Sequence, residues 1–146
     1  MSTDGELKYL VYTSVATREM SPSDLESILH TARTHNERAG ITGALLYRDD
    51  SFIQFLEGPP AEIDSLMDSI AADDRHSHVR VVLVERITER SFGDWRMGFG
   101  IPEKSRFADL TDATSYEDVK RAAEDLSIWF TVNERRQSPV AGFGSG

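Results

Sequence analysis

A glutamine lies inside a short apolar run at residues 52–56 (FIQFL), a pattern typical of a strand that is buried on both faces. Because strand side chains alternate between faces, Gln54 shares a face with Phe52 and Leu56. A buried amide without hydrogen-bond partners is costly, so another polar group must meet Gln54 there. An earlier strand-like run ends at Tyr12, whose phenol both donates and accepts hydrogen bonds. The sequence therefore predicts a sheet covered on both faces, with Tyr12 and Gln54 in one pocket.

The first helix has a clear start signal at residues 21–24. Ser21 occupies the cap position, Pro22 the first helical position, and Asp24 follows three residues after the cap. We expect the helix to run to about residue 35 and to end before Gly40. Its apolar residues follow at helical spacing: Leu25, Ile28, Leu29 and Ala32.

The segments from residue 7 to about residue 100 follow the order strand, helix, strand, strand, helix, strand, strand. This order predicts an α+β fold with a ferredoxin-like, mixed five-stranded sheet and both helices on one face. The remaining predicted segments are strands at residues 41–47, 52–57 and 79–84, a fifth strand after Trp95, a second helix marked by Ile63, Leu66, Met67 and Ile70, and a charged connection at residues 73–78.

The C-terminal part predicts a helical appendage on the other face of the sheet. Ser115 is a cap candidate with Asp118 three residues later, and an apolar stripe follows. We expect a domain at residues 1–100, a linker with one short helical turn at residues 101–114, a helix that completes the 101–136 unit, and a disordered tail at residues 137–146. The stripe consists of Val119, Ala122, Ala123, Leu126, Trp129 and Phe130.

Composition excludes several classes of function. The chain of 146 residues carries 25 acidic and 16 basic residues, and the resulting net charge of -9 disfavours nucleic-acid and membrane-surface partners. The sequence shows neither a transmembrane run nor a signal peptide, so we expect a cytoplasmic protein. Because the chain has no cysteine, it cannot form disulfides, thiolate metal sites or cysteine adducts. His30 and His35 lack the carboxylate company of a metal site, so no metal is expected.

Three polar groups are expected to converge on the helical face of the sheet: Tyr12, Gln54 and Asn36 at the end of the first helix. None is a good acid or base near neutral pH. The set suits recognition of a planar heteroaromatic ring better than acid–base catalysis, and an isoalloxazine ring fits its donors and acceptors. The expected apolar walls are Ile28, Ile41 and Phe52.

Five short motifs follow one another in register over residues 7–100. They are residues 10–14 (LVYTS), 35–36 (HN) with 40–43 (GITG), 52–58 (FIQFLEG), 73–76 (DDRH) and 92–97 (FGDWRM). Together they resemble the BLUF domain, a family of blue-light sensors that use flavin, here of the short single-domain type. The resemblance implies a non-covalently bound flavin between the two helices, with FAD expected and FMN or riboflavin as alternatives.

The resemblance also implies roles for individual residues. Asn36 would bind the imide edge of the flavin, while Arg75 and His76 would lie near its ribityl and phosphate end. Gln54 would bridge the ring to Tyr12, which gives an electron and a proton to the light-excited flavin. After the charges recombine, the glutamine would be left rotated or tautomerised. The remaining photoactive positions, Trp95 and Met97, match a pair on the last strand that carries the signal outward.

Strand alternation predicts Trp95 and Met97 on one face and Arg96 and Gly98 on the other. Which of Trp95 and Met97 approaches the flavin is left open by the sequence. Because the chain ends soon after the sensor, we expect no enzymatic activity of its own, a separate effector protein as partner, and a homo-oligomer.

Two other functions compete with the sensor. An acylphosphatase-like enzyme could use Arg18 to hold a phosphoryl group, and a ligand-free oligomerisation module could be built on the sheet. Each candidate residue also has an ordinary structural interpretation: Asn36 as a helix stop, Trp95 and Met97 as core, and the residues around Arg75 as a solvated loop. Gln54 is the exception, because an amide among hydrophobes has few structural explanations.

Overall fold

The computed structural model describes residues 6–93 and 95–134, excluding the side chain of Glu134. The elements follow the predicted order, with two further helices after the last strand. They are β1 (Leu7–Ala16), α1 (Pro22–Ala39), β2 (Thr42–Arg48), β3 (Ser51–Gly58), α2 (Pro60–Ala72), β4 (His76–Ile87), β5 (Gly98–Gly100), α3 (Lys104–Thr111) and α4 (Tyr116–Glu134).

The five strands form one sheet in the order β4-β1-β3-β2-β5. Neighbouring strands are antiparallel except for β2 and β5, which run parallel. The predicted ferredoxin-like mixed sheet is therefore confirmed. Strand β3 lies at the centre of the sheet, and all of its residues after Ser51 are buried.

Helix α1 begins as the sequence predicted. The Ser21 side chain accepts from the Asp24 backbone N–H, and the Asp24 carboxylate accepts from the Ser21 N–H in return. The helix continues to Ala39, past the expected end near residue 35, and ends at Gly40. That glycine has a φ of 73°, a left-handed conformation that side chains with a Cβ adopt only at a cost.

Each face of the sheet has its own apolar core. Residues such as Leu10, Leu45 and Leu56 pack beneath α1 and α2. Val11 and Phe55 are the sequence neighbours of Leu10 and Leu56, and they pack beneath α3 and α4 on the other face. The prediction that the C-terminal helix covers the face opposite the helix pair is confirmed.

Three expectations need correction. The segment at residues 101–114 contains an eight-residue helix, α3, where we expected one short turn. Strand β4 begins at His76, since that residue pairs with Ala16, so the second half of the predicted charged connection, residues 76–78, is strand. Strand β5 begins only at Gly98, so Trp95 and Met97 precede it.

The predicted disordered tail at residues 137–146 lies outside the described residues. Among the helices the structure describes, none is both long and apolar enough to cross a membrane.

Candidate functional site

A cavity of about 300 Å³ lies between α1 and α2, with the central strands as its floor. Its size is at the lower end of pockets that bind small molecules. Four strands, β1 to β4, contribute side chains to the lining, and the two helices form the walls. The predicted residues that line it are Tyr12, Ile28, Asn36, Phe52, Gln54, Arg75 and His76.

Tyr12 and Gln54 meet on the floor of this cavity because they are direct cross-strand partners in the β1–β3 ladder. The Tyr12 hydroxyl donates to Gln54 Oε1, and Gln54 Nε2 donates to Met97 Sδ at 3.2 Å. Tyr12 is 2% exposed and Gln54 6%, so little water competes for these bonds. Burial, helped by the negative charge of Asp73, raises the pKa of Tyr12 well above its usual range. The phenol therefore keeps its proton at any physiological pH.

Asn36 contributes an unsatisfied acceptor to the cavity. Its Nδ2 donates to the Arg96 carbonyl at 2.7 Å, whereas its buried Oδ1 has no hydrogen-bond partner among the described residues. The neighbouring His35 Nε2, on another cavity-lining residue, is also buried and unpaired within the same part of the chain. Buried polar atoms normally find partners, so both atoms indicate a missing ligand.

These features fit a flavin ring. The free Asn36 Oδ1 can accept from an imide N–H, and its amide nitrogen retains a second hydrogen for a carbonyl. Gln54 likewise keeps one amide hydrogen beyond that directed at Met97. Ile28 and Phe52 add apolar side chains to the lining of the cavity.

Arg75 and His76 line the cavity, but neither offers a free charge. The Arg75 guanidinium binds both carboxylate oxygens of Asp73, with the shortest contact at 2.7 Å. His76 Nδ1 lies 3.0 Å from Ser14 Oγ, and burial lowers the pKa of His76 from its usual value. The charge of Arg75 is therefore neutralised by an acid two residues away, and a position for Arg75 near the ribityl and phosphate end of a flavin stays a prediction.

Trp95 and Met97 lie on opposite sides of the sheet, so the predicted shared face is wrong. Met97 is buried with the cavity-side core and contacts Gln54, while Trp95 packs against Phe130 of α4 with ring centroids 5.3 Å apart. Residues 95–97 are not part of a strand, and alternation does not apply to them. Met97 is thus the member of the pair that lies beside Gln54.

Several lining residues escaped sequence reasoning, and two residues predicted to bind the cofactor, Ile41 and Met97, do not line the cavity. Ile41 is fully buried under the helices, yet it lies outside the cavity surface. The missed residues of α1 share a helix face with Ile28 and Asn36, because they recur every three or four residues along the helix. Helical spacing from those two residues would have predicted them. The missed residues are Thr31, Ala32, His35, Leu45, Leu66, Ser69, Ile70 and Asp73.

Glu57 is a fully buried carboxylate at the end of β3. It accepts from Thr42 Oγ1 at 2.9 Å and from the Ser91 and Phe92 N–H groups at 2.8 Å each. Arg90 completes the cluster through Thr42 Oγ1 and two backbone carbonyls. The cluster anchors the connection between β4 and β5, which leads directly to Trp95.

The arginine on which an acylphosphatase-like enzyme would depend is already paired. Arg18 binds Asp24 through two contacts of 2.9 and 3.1 Å at the exposed start of α1. The described residues contain no group of three histidine, cysteine or acidic side chains arranged to hold a metal ion.

Residues 7–98 match the family described as BLUF, sensors of blue-light using FAD. The chain belongs to the BLUF family. Its curated relatives include a photoactivated adenylate cyclase subunit beta from Euglena longa, 39% identical over 114 residues, which are 77% of this chain and 13% of that protein. A subunit alpha from Euglena gracilis is 43% identical over 90 residues, 62% of this chain and 9% of that protein. The chain thus spans a small fraction of these relatives.

Solved structures share this fold, and two of them match the chain over nearly their whole length. BlrB, described as a BLUF protein in its dark state, is 34% identical, with a TM-score of 0.72, and the match covers 85% of this chain and 97% of that one. The photo-activated state of BlsA is 26% identical, with a TM-score of 0.73 and coverage of 84% and 95%. Klebsiella pneumoniae BlrP1 with FMN and cyclic diGMP is 28% identical, with a TM-score of 0.63, covering 85% of this chain and 30% of that one.

Proposed function

We propose that this BLUF protein is a blue-light photoreceptor in which Tyr12 and Gln54 perform the photochemistry on a flavin held in the α1–α2 cavity. The observation that carries the proposal is the buried hydrogen-bonded chain from Tyr12 through Gln54 to Met97. Each member is enclosed, and the middle one reaches the cavity. Asn36, with its unpaired Oδ1, provides the anchor for the ring.

A bound flavin supplies the light absorption and, once excited, a strong oxidant. Tyr12 is suited to give it an electron, because the phenol lies in the cavity surface. The phenolic proton would pass along the bond that Tyr12 already makes to Gln54 Oε1, and one Gln54 Nε2 proton would leave toward the cavity, so that the amide stays neutral. Because burial opposes tyrosinate formation, we expect electron and proton to leave and return together.

The lasting change is at Gln54. In the present arrangement its Nε2 faces Met97 Sδ and its Oε1 faces Tyr12. Rotation of the amide would turn the oxygen toward the sulfur, and neither of these atoms carries a hydrogen to donate. Tautomerisation would turn one of the two Nε2 donors into an acceptor and give Oε1 a hydrogen to donate. Rotation, or a tautomerisation that removes the hydrogen facing Met97, weakens the contact with Met97 and frees the segment that contains it to shift.

The signal then crosses the sheet at Gly98. Met97 belongs to the cavity-side core, while the next residue lies directly against the ring of Phe130 in α4. A shift of Met97 therefore displaces the surface on which α4 rests. We propose that α4 passes this change to a separate effector protein, and that the chain itself catalyses no reaction and acts as a cytoplasmic homo-oligomer.

The flavin is proposed to be FAD, with FMN and riboflavin as alternatives. Among the described residues, the unpaired polar atoms of the cavity lining are His35 Nε2 and Asn36 Oδ1, which are available to the ring. The charge of Arg75, by contrast, is neutralised by Asp73. Binding of the ring should therefore dominate affinity, and the tail should contribute little.

The absorption spectrum before and after blue light tests the proposal. Purified protein should be yellow and should show a reversible red shift. Gln54→Leu and Tyr12→Phe should retain flavin but lose the shift, while Tyr116→Phe, a change at an exposed tyrosine on α4, should behave normally. A normal shift in either site variant would contradict the mechanism, and a colourless protein that fails to take up flavin would contradict the function.

A further inference from the structure

The segment at residues 95–97 is held by hydrogen bonds from outside the sheet ladder. Its three successive carbonyls accept from three different groups of α1 and β2. The Trp95 carbonyl accepts from Gly43 N–H at 3.0 Å, the Arg96 carbonyl from Asn36 Nδ2 at 2.7 Å, and the Met97 carbonyl from Arg33 Nε at 2.9 Å. The position of Met97 thus depends on side chains of α1 as well as on Gln54.

Arg33 is a costly residue to place here. It is partly buried on α1, and burial alone lowers the pKa of its guanidinium, with no contribution from a nearby acid. Its one hydrogen bond within the described residues goes to the Met97 carbonyl. A half-buried cation that binds a single backbone oxygen is poorly explained by stability alone, since desolvation opposes it.

Arg33 also lies one helical turn before Asn36, so the two side chains reach the same segment from one side of the helix. Asn36 lines the cavity, whereas Arg33 does not. The two roles are therefore separable: a change at Arg33 can affect the segment without touching the ligand surface.

We propose that Arg33 is a positioning residue that holds Met97 within reach of Gln54 and thereby sets how fast the lit state returns to the dark state. This inference rests on the proposed function. Met97 is held at two points, its sulfur by Gln54 and its carbonyl by Arg33. When light removes the first contact, the second keeps the sulfur close, so the original arrangement re-forms quickly. Without Arg33 the segment moves farther from Gln54 and must find its place again.

Two variants of matched length separate the hydrogen bond from the charge. In Arg33→Gln the new amide nitrogen lies at nearly the position of Arg33 Nε, so the donor is kept and the charge is lost. In Arg33→Met the chain length is kept and the donor is lost. Arg38→Met, an exposed position on the same helix, serves as the control.

Dark recovery after a blue pulse is the measurement. Arg33→Met should bind flavin like the native chain and show the full red shift, but recover about tenfold more slowly, which corresponds to about 1.4 kcal/mol. Arg33→Gln and Arg38→Met should recover at close to the native rate. Recovery of Arg33→Met at the native rate, or equally slow recovery of Arg33→Gln, would overturn the proposal.

Amide hydrogen exchange in the dark gives a readout that does not depend on photochemistry. Peptides that cover residues 95–100 should exchange faster in Arg33→Met than in Arg33→Gln, and unchanged exchange in both would also overturn the proposal. Failure of the proposed function is distinguishable, because the native chain would then show no red shift, whereas failure of this inference leaves the shift intact and the recovery rate unaltered.

Discussion

Gly98 packs directly against Phe130 at the point where the proposed signal passes from the flavin site to α4. A Cβ at position 98 would lie 2.8 Å from Phe130 Cε2 and 3.1 Å from Cε1, and closer still to the tip of the ring. The ring cannot swing away, since Phe130 is fully buried, with Trp95 at 5.3 Å and Phe92 at 6.0 Å between centroids. Gly98→Ala therefore overpacks this interface.

We expect Gly98→Ala to lower the free energy of unfolding by roughly 1–3 kcal/mol, the usual cost of an extra methyl group in a packed core. Urea denaturation of the flavin-bound protein would measure the loss. Gly100→Ala is the matched control in the same strand, because its nearest neighbours would lie at 3.3 Å and include the adaptable end of the Leu46 side chain. Its cost should be clearly smaller.

A second substitution shows whether Phe130 is the cause. In the double variant Gly98→Ala/Phe130→Leu, the smaller side chain makes room for the methyl group, so the loss should be less than the sum of the two single losses by about 0.5 kcal/mol or more. The red shift should persist in all variants, since the cavity lies on the other face. Native stability in Gly98→Ala, or strict additivity in the double variant, would refute the packing argument.

Three other outcomes follow from the site. Asn36→Ala should lose flavin during purification more readily than Gln54→Leu, because each imide group left unpaired costs about 1–3 kcal/mol; equal occupancy would show that Asn36 only ends the helix. The free energy of unfolding should fall as pH rises above about 10, because Tyr9 and Tyr12 have raised pKa values in the folded state and the unfolded chain releases their protons first. Denaturation monitored by tyrosinate absorbance would measure this loss, and unchanged stability at high pH would contradict it. Helix α4 should lose amide protection under blue light, and unchanged exchange alongside a full red shift would exclude it as the output element.

The sequence alone was sufficient for the elements and for the centre of the site. Helical and strand periods are local, so the order of elements and the cap at Ser21 could be predicted from neighbouring residues. Gln54 was found because an amide among hydrophobes is costly to bury, and alternation indicated the face on which a polar partner such as Tyr12 had to lie. The two prove to be direct cross-strand partners.

The tertiary structure decided how the segment before β5 is arranged. The prediction from strand alternation misplaced Trp95 and Met97. Hydrogen bonds to α1 and β2 fix the positions of these residues, which do not belong to a strand ladder. The partner of Arg33 is separated from it by 64 residues, a distance over which local patterns carry no information. The same holds for Glu57, whose partners Ser91 and Phe92 lie 34 and 35 residues away. Local periodicity determines which elements form, whereas partners for buried polar groups depend on the packed fold, which alone brings distant backbone groups within hydrogen-bond distance.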